Sequence, residues 1–119
     1  KWKNENVKLA IISSSRNCRH IIESAGVSEY FDSRVDGVTL AEEDLPGKPQ
    51  PDIFLRACEL LGVEPNETII LEDSIAGVEA GKKGGFAQII GVARHGEAKE
   101  LKEAGADRVV EKLTELYTL

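Results

Sequence analysis

An α/β fold, with a parallel sheet carrying helices on both faces, follows from three observations in this 119-residue sequence. Short apolar runs of strand length alternate along it with segments whose apolar residues recur at helical spacing. Glycines stand where the helical segments stop. The polar residues capable of chemistry gather at turns leading from a strand into a helix. Such alternation implies right-handed crossovers between parallel strands.

Residues 7–12 are a largely apolar run of strand length, and residues 16–25 follow with Cys18, Ile21, Ile22 and Ala25 on one helical face, ended by Gly26. Residues 34–38 read as a second, weaker strand. Residues 51–61 form a clear helix, with Ile53, Phe54, Ala57, Cys58 and Leu61 inward and Gly62 closing it. Residues 68–71 are a third strand, 74–83 its helix, and 87–92 a fourth strand after the Gly84-Gly85 turn. A helix over 97–104, a short strand over 107–110 and a closing helical turn over 113–116 complete the pattern.

Composition sets the frame for function. A chain of 119 residues is one small domain, large enough for a core. No apolar stretch nears the roughly 20 residues of a membrane span, so no membrane partner is expected. The net charge of −6 argues against a nucleic-acid surface, and any anionic substrate must meet a local positive site. Cys18 and Cys58 lie on different helices with no second pair, which favours a reducing, cytoplasmic setting in which both are small buried hydrophobes. His20 and His95 show no ligand spacing. The start at Lys1-Trp2-Lys3 has no leader pattern, and methionine is absent throughout; a segment preceding Lys1 is expected.

Three turns carry candidate chemistry. Glu72-Asp73 ends the third strand, putting two carboxylates at the carboxyl edge of a parallel sheet, where such folds bind ligands. Neighbouring acids there suit a hard cation such as Mg²⁺, although Asp73 could equally cap the next helix. Ser13-Ser14-Ser15 leads the first helix, where hydroxyls and free amides can receive a phosphate or simply cap. Lys48 sits between Pro46-Gly47 and Pro49-Gln50-Pro51, a turn stiffened by its prolines. Holding a cation still is useful mainly when an anion must be met, though most lysines are merely solvated.

These stretches, in this order, resemble the haloacid dehalogenase-like phosphohydrolase superfamily, and within it the β-phosphoglucomutase-like branch. Ile11-Ile12-Ser13-Ser14-Ser15-Arg16-Asn17 is similar to the family's second motif, which implies that Ser13 binds the transferring phosphoryl group, with Ser14 beside it, and that Asn17 contacts substrate phosphate. Gly47-Lys48-Pro49-Gln50-Pro51-Asp52 resembles the third, whose Lys offsets charge on nucleophile and phosphate. Leu71-Glu72-Asp73-Ser74-Ile75-Ala76-Gly77 resembles the fourth, whose acidic pair helps hold Mg²⁺. The implied fold is a Rossmann-like three-layer sandwich with a mostly parallel sheet.

The family's first motif, an Asp-x-Asp supplying nucleophile and general acid/base, does not occur; Asp32 and Asp36 are spaced too widely to replace it. The resemblance therefore implies that residues 1–119 are the C-terminal portion of the core domain, with the nucleophile-bearing central strand and the cap domain lying before Lys1. A slot about 10 Å wide, two strand spacings, is expected between the first and third strands. Unpaired buried amides would cost about 1–3 kcal/mol each, so an upstream segment is expected to fill it.

The implied activity is Mg²⁺-dependent phosphoryl transfer through an aspartyl-phosphate, by a phosphatase or phosphoglucomutase acting on a small phosphorylated metabolite, with a sugar phosphate leading. The chain alone is expected to be inactive. Two rivals are a catalytically inactive binding module with the same fold, and a receiver-type signalling domain. In the latter the acidic pair should precede the lysine, the reverse of Lys48 before Glu72-Asp73.

Overall fold

Five parallel strands in two groups organise the protein, in a computed structural model that describes residues 7–13 and 17–116. β1 (Ala10–Ile12) pairs with β2 (Ser33–Val35), Ala10 opposite Ser33 and Ile12 opposite Val35. β3 (Ile69–Glu72), β4 (Gln88–Val92) and β5 (Arg108–Val110) form the other group in that order, with Leu71 opposite Ile90 and Val92 opposite Val110. Among the described residues, β1 and β3 share no ladder. The strands alternate with α1 (Cys18–Ser24), α2 (Gly37–Glu42), α3 (Asp52–Leu61), α4 (Ile75–Gly84) and α5 (Ala98–Ala104), giving the expected α/β class.

Local chemistry explains the helix limits. After α1, the Gly26 N–H donates to the Glu23 carbonyl with φ at +72°, a backbone that glycine adopts without penalty. Gly62 and Gly85, at φ +71° and +74°, end α3 and α4 in the same way.

Two departures from the sequence reading have physical causes. Residues 36–38, expected to continue the second strand, instead open α2. Asp36 Oδ1 accepts from the Val38 and Thr39 amides at 3.0 and 3.1 Å, while the Thr39 hydroxyl accepts from the Asp36 N–H at 3.3 Å. This capping box outweighs the strand preference of Val38 and Thr39. The first strand is also shorter than expected, because residues 7–9 run outside the ladder, with the Leu9 N–H held by Asp32 Oδ2 at 2.7 Å. Short 3₁₀ turns at Ser28–Tyr30 and Pro65–Glu67 went unforeseen, and the closing turn at Leu113–Leu116 is 3₁₀.

A core around α3 holds the two strand groups together. Ile53, Phe54 and Ala57 pack with Val35 of β2, Ile70 of β3 and Ala80 of α4, and Ala10 and Ile12 of β1 lie against the same cluster. A second cluster joins Val78, Ile89, Ala93, Leu101 and Ala106. On the other face of β4, Ile90 and Val92 meet Val110 and Leu116. β3 alternates: Ile70 and Glu72 are buried, whereas Ile69 and Leu71 are exposed. Among the described residues, no helix is long and apolar enough to cross a membrane.

Candidate functional site

The carboxyl edge of the sheet concentrates the polar residues singled out from the sequence. β3 ends on Glu72, and the helix that follows is capped by Ser74, whose Oγ accepts from the Gly77 N–H at 3.0 Å. The cap is therefore Ser74 and not Asp73, which removes the capping alternative for Asp73. Asp73 is exposed, and among the described residues its carboxylate meets no hydrogen-bond or ion-pair partner.

Glu72 behaves differently from its neighbour. It is 8% exposed, and with Asp36 it is one of two buried charged side chains among the described residues. Its Oε2 accepts from Lys48 Nζ at 2.8 Å. Its Oε1 accepts from the Asp73 amide, the Ser74 amide and the Ser74 hydroxyl at 3.1, 3.2 and 3.1 Å. A buried carboxylate survives only with such partners. Lys48 arrives from the proline-rich turn, and its ammonium also lies 5.4 Å from the centre of the Phe54 ring, a cation–π contact that further fixes it.

Ser13 stands at the carboxyl end of β1, half-buried, with its N–H donating to the Val35 carbonyl at 3.0 Å. Asn17 is the N-terminal cap residue of α1 without a side-chain capping bond, and it is exposed. Ser14 lies outside the described residues. A cavity of about 230 Å³ opens between the ends of the strands, lined among others by Ile12 of β1, Glu72 and Asp73 after β3, and Val92 and Arg94 after β4. The structure thus joins Lys48 to Glu72 directly, and sets Ser13 next in the chain to Ile12, which lines the same cavity as Glu72 and Asp73.

Arg94 was not singled out by sequence reasoning. Its signal was available, since it follows the fourth strand at the edge where ligands bind. Asp36 occupies the corresponding position after β2 but serves the fold, capping α2 and pairing with Arg34 at 2.8 Å. Burial, the largest influence on Asp36, pushes its carboxyl up; the Thr39 amide and the Arg34 guanidinium outweigh it and hold the carboxyl below its ordinary value. Burial, with Asp36 nearby, raises the Cys18 thiol. Cys18 and Cys58 are free and buried, as expected of small hydrophobes. His20 and His95 are exposed.

The donor set at the edge is hard oxygen, of the kind Mg²⁺ prefers, but it is partial. Among the described residues, no cluster of three or more histidine, cysteine, aspartate or glutamate side chains could hold a metal ion. Mg²⁺ usually takes one or two carboxylates and completes its shell with water and phosphate, so the acidic pair fits as part of a site.

The chain resembles known proteins in both sequence and fold. The haloacid dehalogenase-like hydrolase family model matches residues 1–85. A β-phosphoglucomutase of Mycobacterium tuberculosis is 48% identical over 111 residues, covering 91% of this chain and 42% of that protein. A phosphorylated carbohydrates phosphatase of Thermotoga maritima is 36% identical over 111 residues, covering 91% and 50%. The crystal structure of a β-phosphoglucomutase from Clostridium difficile superposes with a TM-score of 0.81 at 31% identity, covering 96% of this chain and 47% of that one. The chain spans about half the length of these three relatives.

Proposed function

Since the chain belongs to the haloacid dehalogenase-like hydrolase family, we propose that it forms part of a Mg²⁺-dependent phosphoryl-transfer enzyme, a phosphatase or phosphomutase acting on a small phosphorylated sugar. The observation that carries this reading is the meeting of Lys48 Nζ with Glu72, at 2.8 Å, beside the exposed Asp73 and the cavity at the carboxyl edge. The relatives named as a β-phosphoglucomutase and a phosphatase of phosphorylated carbohydrates support the substrate class.

Under this reading the attacking group is an aspartate on an upstream strand that lies between β1 and β3. Support comes from the absence of a β1–β3 ladder among the described residues, while one core packs against both strands. A parallel strand there would pair with both free edges and bring its own carboxyl end to the cavity. The upstream segment is thus the partner this chain requires, and residues 1–119 alone should show no turnover.

Each residue then has a defined task. Lys48 offsets negative charge on the attacking carboxylate and the phosphoryl oxygens, from a position already fixed before substrate arrives. Ser13 and, outside the described residues, Ser14 donate hydrogen bonds to the phosphoryl group, and Asn17 reaches substrate phosphate. The acidic pair, with Asp73 as its exposed member, holds Mg²⁺, which when bound neutralises charge on the phosphoryl oxygens. Lys48 and Ser13 orient the phosphoryl group for in-line attack, and little further chemistry is asked of the protein. Buried, unbridged Cys18 and Cys58 suit a reducing cytoplasm.

The test is turnover of phosphomonoesters by the polypeptide carrying both this chain and the upstream strand. Lys48→Ala and Asp73→Ala should each lower kcat/KM by at least about 10²-fold, the typical loss for removing a preorganised charge-stabilising group, while leaving the circular dichroism spectrum unchanged. Near-normal rates in either variant would contradict the roles given to these residues.

A further inference from the structure

The two faces of the sheet are covered unequally among the described residues. α3, α4 and α5 share one face: Ile53 and Phe54 of α3 pack with Ile70 of β3 and Ala80 of α4, and Val78 of α4 packs with Ile89 of β4 and Leu101 of α5. Strand alternation sends the neighbours of Ile70 and Ile89 the other way. On that second face Ile90 and Val92 meet Val110 and Leu116, but Ile69 and Leu71 are 52% and 37% exposed. Leu113, which lines one cavity with Leu71 and Val92, is 43% exposed. A parallel sheet ordinarily buries both faces, so this apolar strip is a surface shaped for a partner.

Arg94 stands on the same face. Ala93 packs on the side of α4 and α5, so the next residue turns away from them, and Arg94 lines the cavity with Leu71, Val92 and Leu113. It is exposed, and among the described residues its guanidinium meets no hydrogen-bond or ion-pair partner. An aliphatic strip with one unpaired cation at its carboxyl rim fits an amphipathic partner that carries a negative charge at one end.

Crossover handedness decides what that partner is. The steps from β3 to β4 and from β4 to β5 run in one direction across the sheet, with α4 and α5 on the α3 face. A parallel strand between β1 and β3 steps in the opposite direction to reach β1, and a right-handed connection then carries its helix on the opposite face. A helix is about 10 Å across, two strand spacings of about 4.8 Å, so one seated over the inserted strand reaches β3. To enter β1 it runs from the carboxyl edge back to the amino edge. Its amino-terminal end, where a carboxylate is favoured, therefore lies at the level of Arg94.

We propose that Ile69, Leu71, Leu113 and Arg94 form the docking surface for an amphipathic helix of the upstream segment, whose apolar stripe lies on the three aliphatic side chains and whose amino-terminal end presents a carboxylate to Arg94. The proposal rests on the upstream strand of the functional reading and on no part of its chemistry. Arginine suits the pairing because its planar fork takes a carboxylate with two parallel bonds.

The test uses the polypeptide that carries this chain with the upstream segment, free of metal and substrate. The thiol of Ile69→Cys should react with a maleimide at least about 10²-fold more slowly than that of Lys83→Cys on the exposed surface of α4, because the helix must first lift away. Equal rates would overturn the proposal. Bismaleimide cross-links from Ile69→Cys to single cysteines scanned along the upstream segment should recur every three or four residues, the period of a helix. A period of two, or no cross-link, would refute it. Arg94→Glu should lower the melting temperature by at least about 3 °C, and a lysine in place of one acidic residue at the amino-terminal end of that helix should restore half of the loss or more. Restoration by no such lysine, or an unchanged melting temperature with KM for phosphomonoesters raised tenfold, would give Arg94 to the substrate and sink the pairing. A fast Ile69→Cys beside the expected rate losses in Lys48→Ala and Asp73→Ala removes the docking surface alone. A protected, helically cross-linked Ile69→Cys in a polypeptide without turnover supports the docking surface while the phosphoryl-transfer reading fails.

Discussion

Gly77→Ala is a one-carbon change whose cost can be worked out from the packing around Glu72. An added Cβ would overlap Cγ, Cδ and Oε2 of Glu72, which must swing out of its socket. The side chains of Lys48 and Glu72 are 16% and 9% exposed, so solvent offers little compensation when they separate. Losing one partner from such a pair costs about 3–5 kcal/mol. Alanine in place of a helical glycine returns about 1 kcal/mol. The net expectation is a loss of roughly 2–4 kcal/mol, which at about 4 °C per kcal/mol for a domain of this size lowers the melting temperature by roughly 8–16 °C. Thermal unfolding followed by circular dichroism at 222 nm reads it. The comparison with Glu72→Ala/Gly77→Ala is decisive: with Glu72 shortened, the three atoms nearest the methyl group are gone, and the second substitution should cost nothing further. A Gly77→Ala protein as stable as the parent, or additive losses in the double variant, would refute the reasoning.

Two further outcomes follow from the core and the buried acid at the end of β2. Asp36 has a folded-state carboxyl held below its ordinary value, so its contribution to stability is present above the unfolded value near pH 4 and is lost as pH falls through the folded one. Melting temperatures between about pH 2 and 5 should therefore fall more steeply for the parent than for Asp36→Asn; parallel curves would contradict the assignment. Ile53 is fully buried in the cluster that joins β2, β3 and α4, so Ile53→Ala should cost about 2–5 kcal/mol in urea unfolding, and a loss below about 1 kcal/mol would show that this cluster is not the common core.

Much of the candidate site is legible locally because strand-to-helix turns bear their polar residues in sequence. The apolar run ending at Leu71 and the helix beginning near Ser74 place Glu72-Asp73 at the sheet edge, and Lys48 stands out by its prolines. What periodicity cannot convey is which partner each side chain meets. Glu72 and Asp73 look alike in sequence, yet one is saturated by Lys48 and backbone amides and the other faces outward. Gly77 reads as an ordinary small helical residue until Glu72 is seen in its space. The extension of the second strand over Asp36-Gly37-Val38 failed because a capping box and a β-branched pair compete over the same residues, and the box satisfies amides that a strand edge would leave open. The lack of a ladder between β1 and β3 has no local mark at all, since each strand is apolar whatever lies beside it. It was anticipated only through the family resemblance.

In the proposed enzyme, Ser13, Lys48 and Asp73 surround one magnesium-bound phosphoryl group attacked by an aspartate from a strand between β1 and β3. A crystal structure of the polypeptide carrying that strand, with Mg²⁺ and a beryllium fluoride mimic of the phosphoryl group, tests it most directly. The mimic is expected on the upstream aspartate, within hydrogen-bond distance of Ser13 and Lys48 Nζ, with the metal on Asp73. A mimic bound elsewhere, or β1 hydrogen-bonded directly to β3, would contradict it.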